Sequence, residues 1–100
     1  MFNRIVELAK SHNAEMVILF GSRAKGRERD NSDIDVCIVA KTDNKRRFAA
    51  TISAELEYDL PVDVLVYTPE EWELSVVDES SFAHKILSEG MVLYGQQKIS

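Results

Sequence analysis

The sequence predicts an α/β (α+β) domain: a small mixed β-sheet with helices packed on one face. Three observations predict it. Short apolar runs at 16–20, 33–40 and 62–67 have the length and composition of buried strands. Segments with helical periodicity lie before, between and after them. At 100 residues with 45% hydrophobic content, the chain has enough apolar material for one core and too little length for two ordinary domains.

The elements follow in order. From Phe2 to His12 the apolar residues Phe2, Ile5, Val6, Leu8 and Ala9 cover one helical face, and His12-Asn13 ends it. Met16 to Phe20 is all apolar and reads as a strand that Gly21-Ser22 breaks. Asp30-Asn31-Ser32 is a turn signal, and Asp33 to Ala40 is the second strand. Asn44 to Leu60 reads as a helix, with Phe48, Ile52 and Leu56 four apart and Pro61 as its stop. Val62 to Tyr67 is the third strand. Thr68-Pro69-Glu70-Glu71 fits a capping box with proline at the first helical position. A helix from about Ser80 to Glu89 turns Phe82, Ala83, Ile86 and Leu87 inward and stops at Gly90. Met91 to Tyr94 is a short last strand. The order is α-β-β-α-β-α-α-β, in one domain over 1–95, with 96–100 expected to be a frayed tail.

Charge and composition exclude several classes. A net charge of -5 argues against a protein that coats nucleic acid, so no direct nucleic-acid binding is expected. Residues 22–29, SRAKGRER, form a local basic island beside the acids. The apolar stretch MVILF is far below a membrane span, and MFNRIVELAK lacks the pattern of a signal peptide. The lone cysteine, Cys37, sits among apolar neighbours and reads as a small core residue. With no disulfide within the chain, a reducing cytoplasmic setting is expected.

The acids carry the chemistry. Side chains alternate along a strand, so Asp33 and Asp35 share a face, with Cβ atoms about 7 Å apart. Two like charges at the start of an apolar strand are costly, and a cation relieves the repulsion. Asp63 repeats the arrangement at the start of the third strand. If the second and third strands pair, three carboxylates cluster at one edge of the sheet. Hard oxygen donors suit Mg²⁺ or Mn²⁺ rather than zinc, and two such ions in phosphoryl-transfer sites sit about 3.5–4 Å apart. Taken alone, an Asp-x-Asp also fits a turn followed by solvated strand ends.

Phe20-Gly21-Ser22 alters that balance. Glycine lets backbone approach an oxyanion, and free N–H groups with the Ser22 hydroxyl can hold phosphate oxygens. Arg23 and Lys25 can offset triphosphate charge, whereas Arg27 and Arg29 read better as a solvated face.

Gly21-Ser22, a ten-residue gap and Asp33-Ile34-Asp35 resemble the signature of the nucleotidyltransferase superfamily that includes DNA polymerase beta. The string FGSRAKGRERDNSDIDVCIV is similar to its minimal nucleotidyltransferase (MNT) branch, whose members often pair with a HEPN-domain protein. The signature covers about a fifth of the chain; the element order and Asp63 extend the likeness over nearly all of it.

The resemblance implies a polymerase beta-like fold and a set of roles. Asp33 and Asp35 would ligate two divalent ions, Mg²⁺ or Mn²⁺. Asp63 would complete one metal site and help deprotonate the attacking hydroxyl. Gly21 and Ser22 would hold the β and γ phosphates of ATP, with Arg23 beside them. The implied reaction transfers AMP to a hydroxyl, with a tyrosine of a HEPN toxin as acceptor and the chain as antitoxin. A homo- or hetero-oligomer is compatible with that setting. The alternatives are a non-catalytic module that neutralises its partner by occlusion, or nucleotidylation of a small molecule.

Other residues read as structural. His12 and His84 lie on separate helices, far in sequence from the acids, and Lys45-Arg46-Arg47 is expected to be a solvated face. Among the aromatic residues Trp72, Phe82 and Tyr94, Phe82 is expected in the core. Trp72, beside Glu70, Glu71 and Glu73, is expected to be partly exposed.

Overall fold

Strands that are apolar on both sides need cover on both sides, and this sheet has it. The structure, a computed structural model, describes residues 3–21, 34–56 and 62–95. Its elements are α1 (Asn3–Ser11), β1 (Ala14–Phe20), β2 (Ile34–Ala40), α2 (Lys45–Glu55), β3 (Val62–Tyr67), α3 (Pro69–Val76), α4 (Phe82–Glu89) and β4 (Met91–Tyr94). The order matches the one read from the sequence. The sheet is four-stranded in the order β3-β2-β1-β4, with β2–β3 parallel and β1 antiparallel to both its neighbours.

The alternation of each strand divides the core in two. Ala14, Val17 and Leu19 of β1, with Ile34, Val36, Ile38 and Ala40 of β2, pack against Ile5, Leu8 and Ala9 of α1 and Ile52 of α2. Met16 and Ile18, with Cys37 and Val39, pack on the other side against Trp72 and Val76 of α3 and Ala83 and Ile86 of α4. The mixed sheet is as expected. Its layering differs: helices cover both faces, not one. The cause is visible in β1 and β2, whose successive residues are nearly all buried, so neither face was free to meet water.

Local signals set most boundaries. Asn44 caps α2 by accepting from the Arg47 N–H at 3.0 Å. That helix ends at Glu55, short of the expected Leu60, because Leu56 turns to extended backbone (φ -81, ψ 131). Leu56 also packs against the α1–α2 core. The capping box forms at α3: Thr68 Oγ1 accepts from the Glu71 N–H at 3.2 Å, and Glu71 Oε1 accepts from the Thr68 N–H at 3.1 Å. The Lys45 ammonium sits 2.8 Å from the same carboxylate. That bond, followed by the Thr68 N–H, holds the Glu71 carboxyl below its ordinary range. Ser81 caps α4, and Gly90 follows its last residue.

Two aromatic expectations reverse. Trp72 is buried, its ring edge-on to Tyr67 at 5.3 Å. The adjacent acids project from other sides of the helix, since neighbours in a helix lie about 100° apart. Phe82 is 51% exposed. It sits in the first turn of α4, beside Phe20 at the end of β1, where its ring meets one aromatic neighbour rather than a second layer.

The histidines are structural. His12 Nε2 lies 3.4 Å from Glu55 and its ring is edge-on to Phe48. His84 Nδ1 lies 2.9 Å from the Val76 carbonyl oxygen, tying α4 to the end of α3. Lys45, Arg46 and Arg47 are exposed, as expected. The expectations for Phe2, the basic island at 22–29, the turn at 30–32, the Pro61 stop and the tail 96–100 lie outside the described residues.

Cys37 is fully buried in the α3–α4 side of the core, and burial pushes its thiol pKa up to about 12. An unfolded thiol ionises near pH 8.5, so burial adds stability that is intact below about that pH and is lost as pH rises towards the folded value. We expect Tm to fall more steeply above about pH 9 in the native protein than in Cys37→Ala. The thiol should react with an aromatic disulfide reagent only after denaturation. Rapid reaction in the folded state would contradict the burial.

Candidate active site

Asp35 and Asp63 are register partners in the parallel β2–β3 pair. Neighbouring strands lie about 4.8 Å apart, and in-register residues point to the same side of a sheet. Residues further along the two strands identify the face. Cys37 and Val39 succeed Asp35 on its side of β2, and Leu65 and Tyr67 succeed Asp63 on β3. All four belong to the α3–α4 side. The two acids therefore stand side by side where these strands begin, on the face that α3 and α4 cover further along.

Their surroundings differ. Asp35 is half-buried and Asp63 is exposed. Phe20 pairs across β1–β2 with Asp35 and packs on the same face. The next residue, Gly21, has φ +78, in the left-handed region that glycine adopts without strain. A Cβ at Gly21 would collide with Asp35 Oδ2 and lie 3.3 Å from Asp35 Cγ. The glycine thus answers two needs: the chain turns sharply as it leaves β1, and the Asp35 carboxylate occupies the space a side chain would fill.

Of the six residues proposed for the site, the structure brings Gly21, Asp35 and Asp63 together. Ser22, Arg23 and Asp33 lie outside the described residues. Among the described residues no three His, Cys, Asp or Glu side chains gather as a metal-sized cluster. The expected third carboxylate is Asp33, one of those outside. Sequence reasoning did not associate Phe20 and Phe82 with this end of the sheet. Their rings meet edge-on at 5.7 Å, and no periodicity links two residues that far apart in the chain.

A recess of about 390 Å³ lies elsewhere, lined by Glu15, Lys41, Thr42, Thr68, Pro69 and Glu70. These residues flank the start of β1 and the far ends of β2 and β3. Lys41 lies six residue steps along the chain from Asp35, or about 20 Å. The recess is distinct from the carboxylate pair.

Comparison with known proteins places the chain in a family. Residues 3–99 match the family described as polymerase beta, nucleotidyltransferase. A protein of Methanocaldococcus jannaschii named "Putative protein adenylyltransferase" is 33% identical over 78 residues, covering 78% of this chain and 76% of its own. The solved structure of a toxin–antitoxin with AMP-PNP superposes with a TM-score of 0.69 at 23% identity, over 95% of this chain and 73% of that one. At that identity the likeness is one of fold. A Sulfolobus solfataricus structure described as that of "a putative nucleotidyltransferase", 27% identical, gives a TM-score of 0.62 over 94% of this chain and 77% of its own. No helix among the described residues is long and apolar enough to cross a membrane. The chain belongs to the polymerase beta nucleotidyltransferase family, and is itself a nucleotidyltransferase.

Proposed function

We propose that this chain transfers AMP from ATP to a tyrosine hydroxyl of a HEPN-domain toxin and so acts as its antitoxin. The observation that carries the reading is the pair of in-register carboxylates, Asp35 and Asp63, standing beside the Gly21 turn. The adenylyltransferase name of the M. jannaschii relative supports AMP as the group and protein as the acceptor. Likeness to toxin–antitoxin structures supports the biological setting.

The donor set fits a divalent cation. Both acids offer hard oxygen ligands, and the space next to Asp35 Oδ2 is kept clear of a side chain by Gly21. Asp35 and Asp63, with Asp33, would hold Mg²⁺ or Mn²⁺. When bound, such ions supply charge stabilisation on both the entering and the leaving oxygen of an in-line displacement.

The chain's own residues account for the remainder. The Gly21 and Ser22 backbone would bind the β and γ phosphates, with Arg23 offsetting their charge. The acceptor oxygen attacks the α-phosphorus. A new P–O bond forms as the α–β bridge bond breaks, and pyrophosphate departs. Asp63, exposed to solvent, is suited to receive the hydroxyl proton and pass it to water. Asp35, seated against Gly21, keeps a fixed position while this happens.

Incubation with α-labelled ATP, Mg²⁺ and a purified HEPN partner tests the proposal. Label should appear on a partner tyrosine. Full neutralisation of the partner with no label transferred would contradict it and leave occlusion as the mode of action. We expect Asp35→Asn to retain the fold by circular dichroism and lose transfer by at least about a hundredfold, since removing a ligand should cost no less than the roughly 10–100-fold lost with a ligand's outer-shell partner. Gly21→Ala should cost about 1–2 kcal/mol for the left-handed backbone alone. It should also reduce transfer by displacing Asp35, with Tm and initial rate as the measurements. An unchanged rate in Gly21→Ala would separate the turn from the chemistry.

A further inference from the structure

Phe82 is an exposed aromatic that meets the cross-strand neighbour of Asp35, and its position suggests a task. It is 51% exposed although it opens a helix whose Ala83 and Ile86 are buried. Its ring meets Phe20 at 5.7 Å with an interplanar angle of 86°. Phe20 in turn pairs across the sheet with Asp35 and packs on the same face. A chain of direct neighbours thus runs from Asp63 to Asp35, to Phe20, to Phe82. In an edge-to-face pair only one ring presents its face to the other. Whichever ring gives the edge, at least one face of Phe82 is left uncovered by Phe20.

We propose that Phe82, backed by Phe20, is the stacking platform for the nucleobase of the bound nucleoside triphosphate. The inference rests on the nucleotide-transfer reading above and adds the residue that holds the base. Each step has a physical reason. The triphosphate must reach the carboxylates, so the base lies one ribose away from them. A flat apolar ring with an open face gains most from a flat aromatic ligand. Such stacking tolerates any base, because every base has a π-face. Phe82 therefore contributes affinity for a nucleoside rather than choice among bases. The T-shaped contact with Phe20 fixes the ring, so little side-chain freedom is lost when the base arrives.

The test compares two probes by calorimetry in Mg²⁺: a non-hydrolysable ATP analogue, which carries a base, and inorganic tripolyphosphate, which does not. In Phe82→Ala we expect analogue affinity to fall at least about fivefold, the low end of measured base-stacking effects. Tripolyphosphate affinity should stay at the native value. Phe82→Tyr, which retains a ring, should bind both probes as the native protein does. Native analogue affinity in Phe82→Ala overturns the inference, and so does an equal loss for both probes. A native chain that binds neither probe overturns the nucleotide reading, and the platform falls with it.

Discussion

Parallel pairing of β2 with β3 is the constraint on which the rest depends. It sets Asp35 level with Asp63 and turns both to one face. Two carboxylates about 5 Å apart repel by roughly 1 kcal/mol in water and by several times that at an effective dielectric of 20. A fold that held them only for structure would gain by replacing one. The pairing is held from elsewhere. Val36, Cys37 and Ile38 of β2 are fully buried, and β3 runs alongside them to Tyr67. The apolar body of the sheet thus imposes an arrangement that its charged end would not adopt unaided.

The parallel direction also requires a crossover, and α2 supplies it. That helix packs Ile52 on one face of the sheet together with α1, whereas α3 and α4 cover the other. The acids lie on the second face, before the positions occupied by Cys37 and Leu65. The exposure of Asp63 and the half-burial of Asp35 follow from the same placement.

Much of this was legible in the sequence because the signals were local. Strand runs, the Asn44 and Thr68 caps and the Gly90 stop depend on a few adjacent residues, and the element order followed from them. The pairing of Asp35 with Asp63 was legible as a condition: it held if the second and third strands paired. What was not legible depended on distant contacts. Trp72 appeared exposed because acids flank it in sequence, yet it turns under α3 to meet Tyr67. Phe82 appeared inward by helical spacing, but α4 begins where the sheet ends. The second helical layer was hidden for the same reason: an all-apolar strand shows that it is covered, not by which elements. The roles assigned to Ser22, Arg23 and Asp33 rest on the sequence, since these residues lie outside the described part of the fold.

The central claim is that Asp35 and Asp63 act as one cation-binding unit when nucleotide is present. Manganese binding followed by electron paramagnetic resonance, with a non-hydrolysable ATP analogue at saturation, tests it most directly. The account predicts about two ions per native chain, as in two-metal phosphoryl-transfer sites, and fewer in both Asp35→Asn and Asp63→Asn. The same stoichiometry and affinity in all three proteins would contradict it.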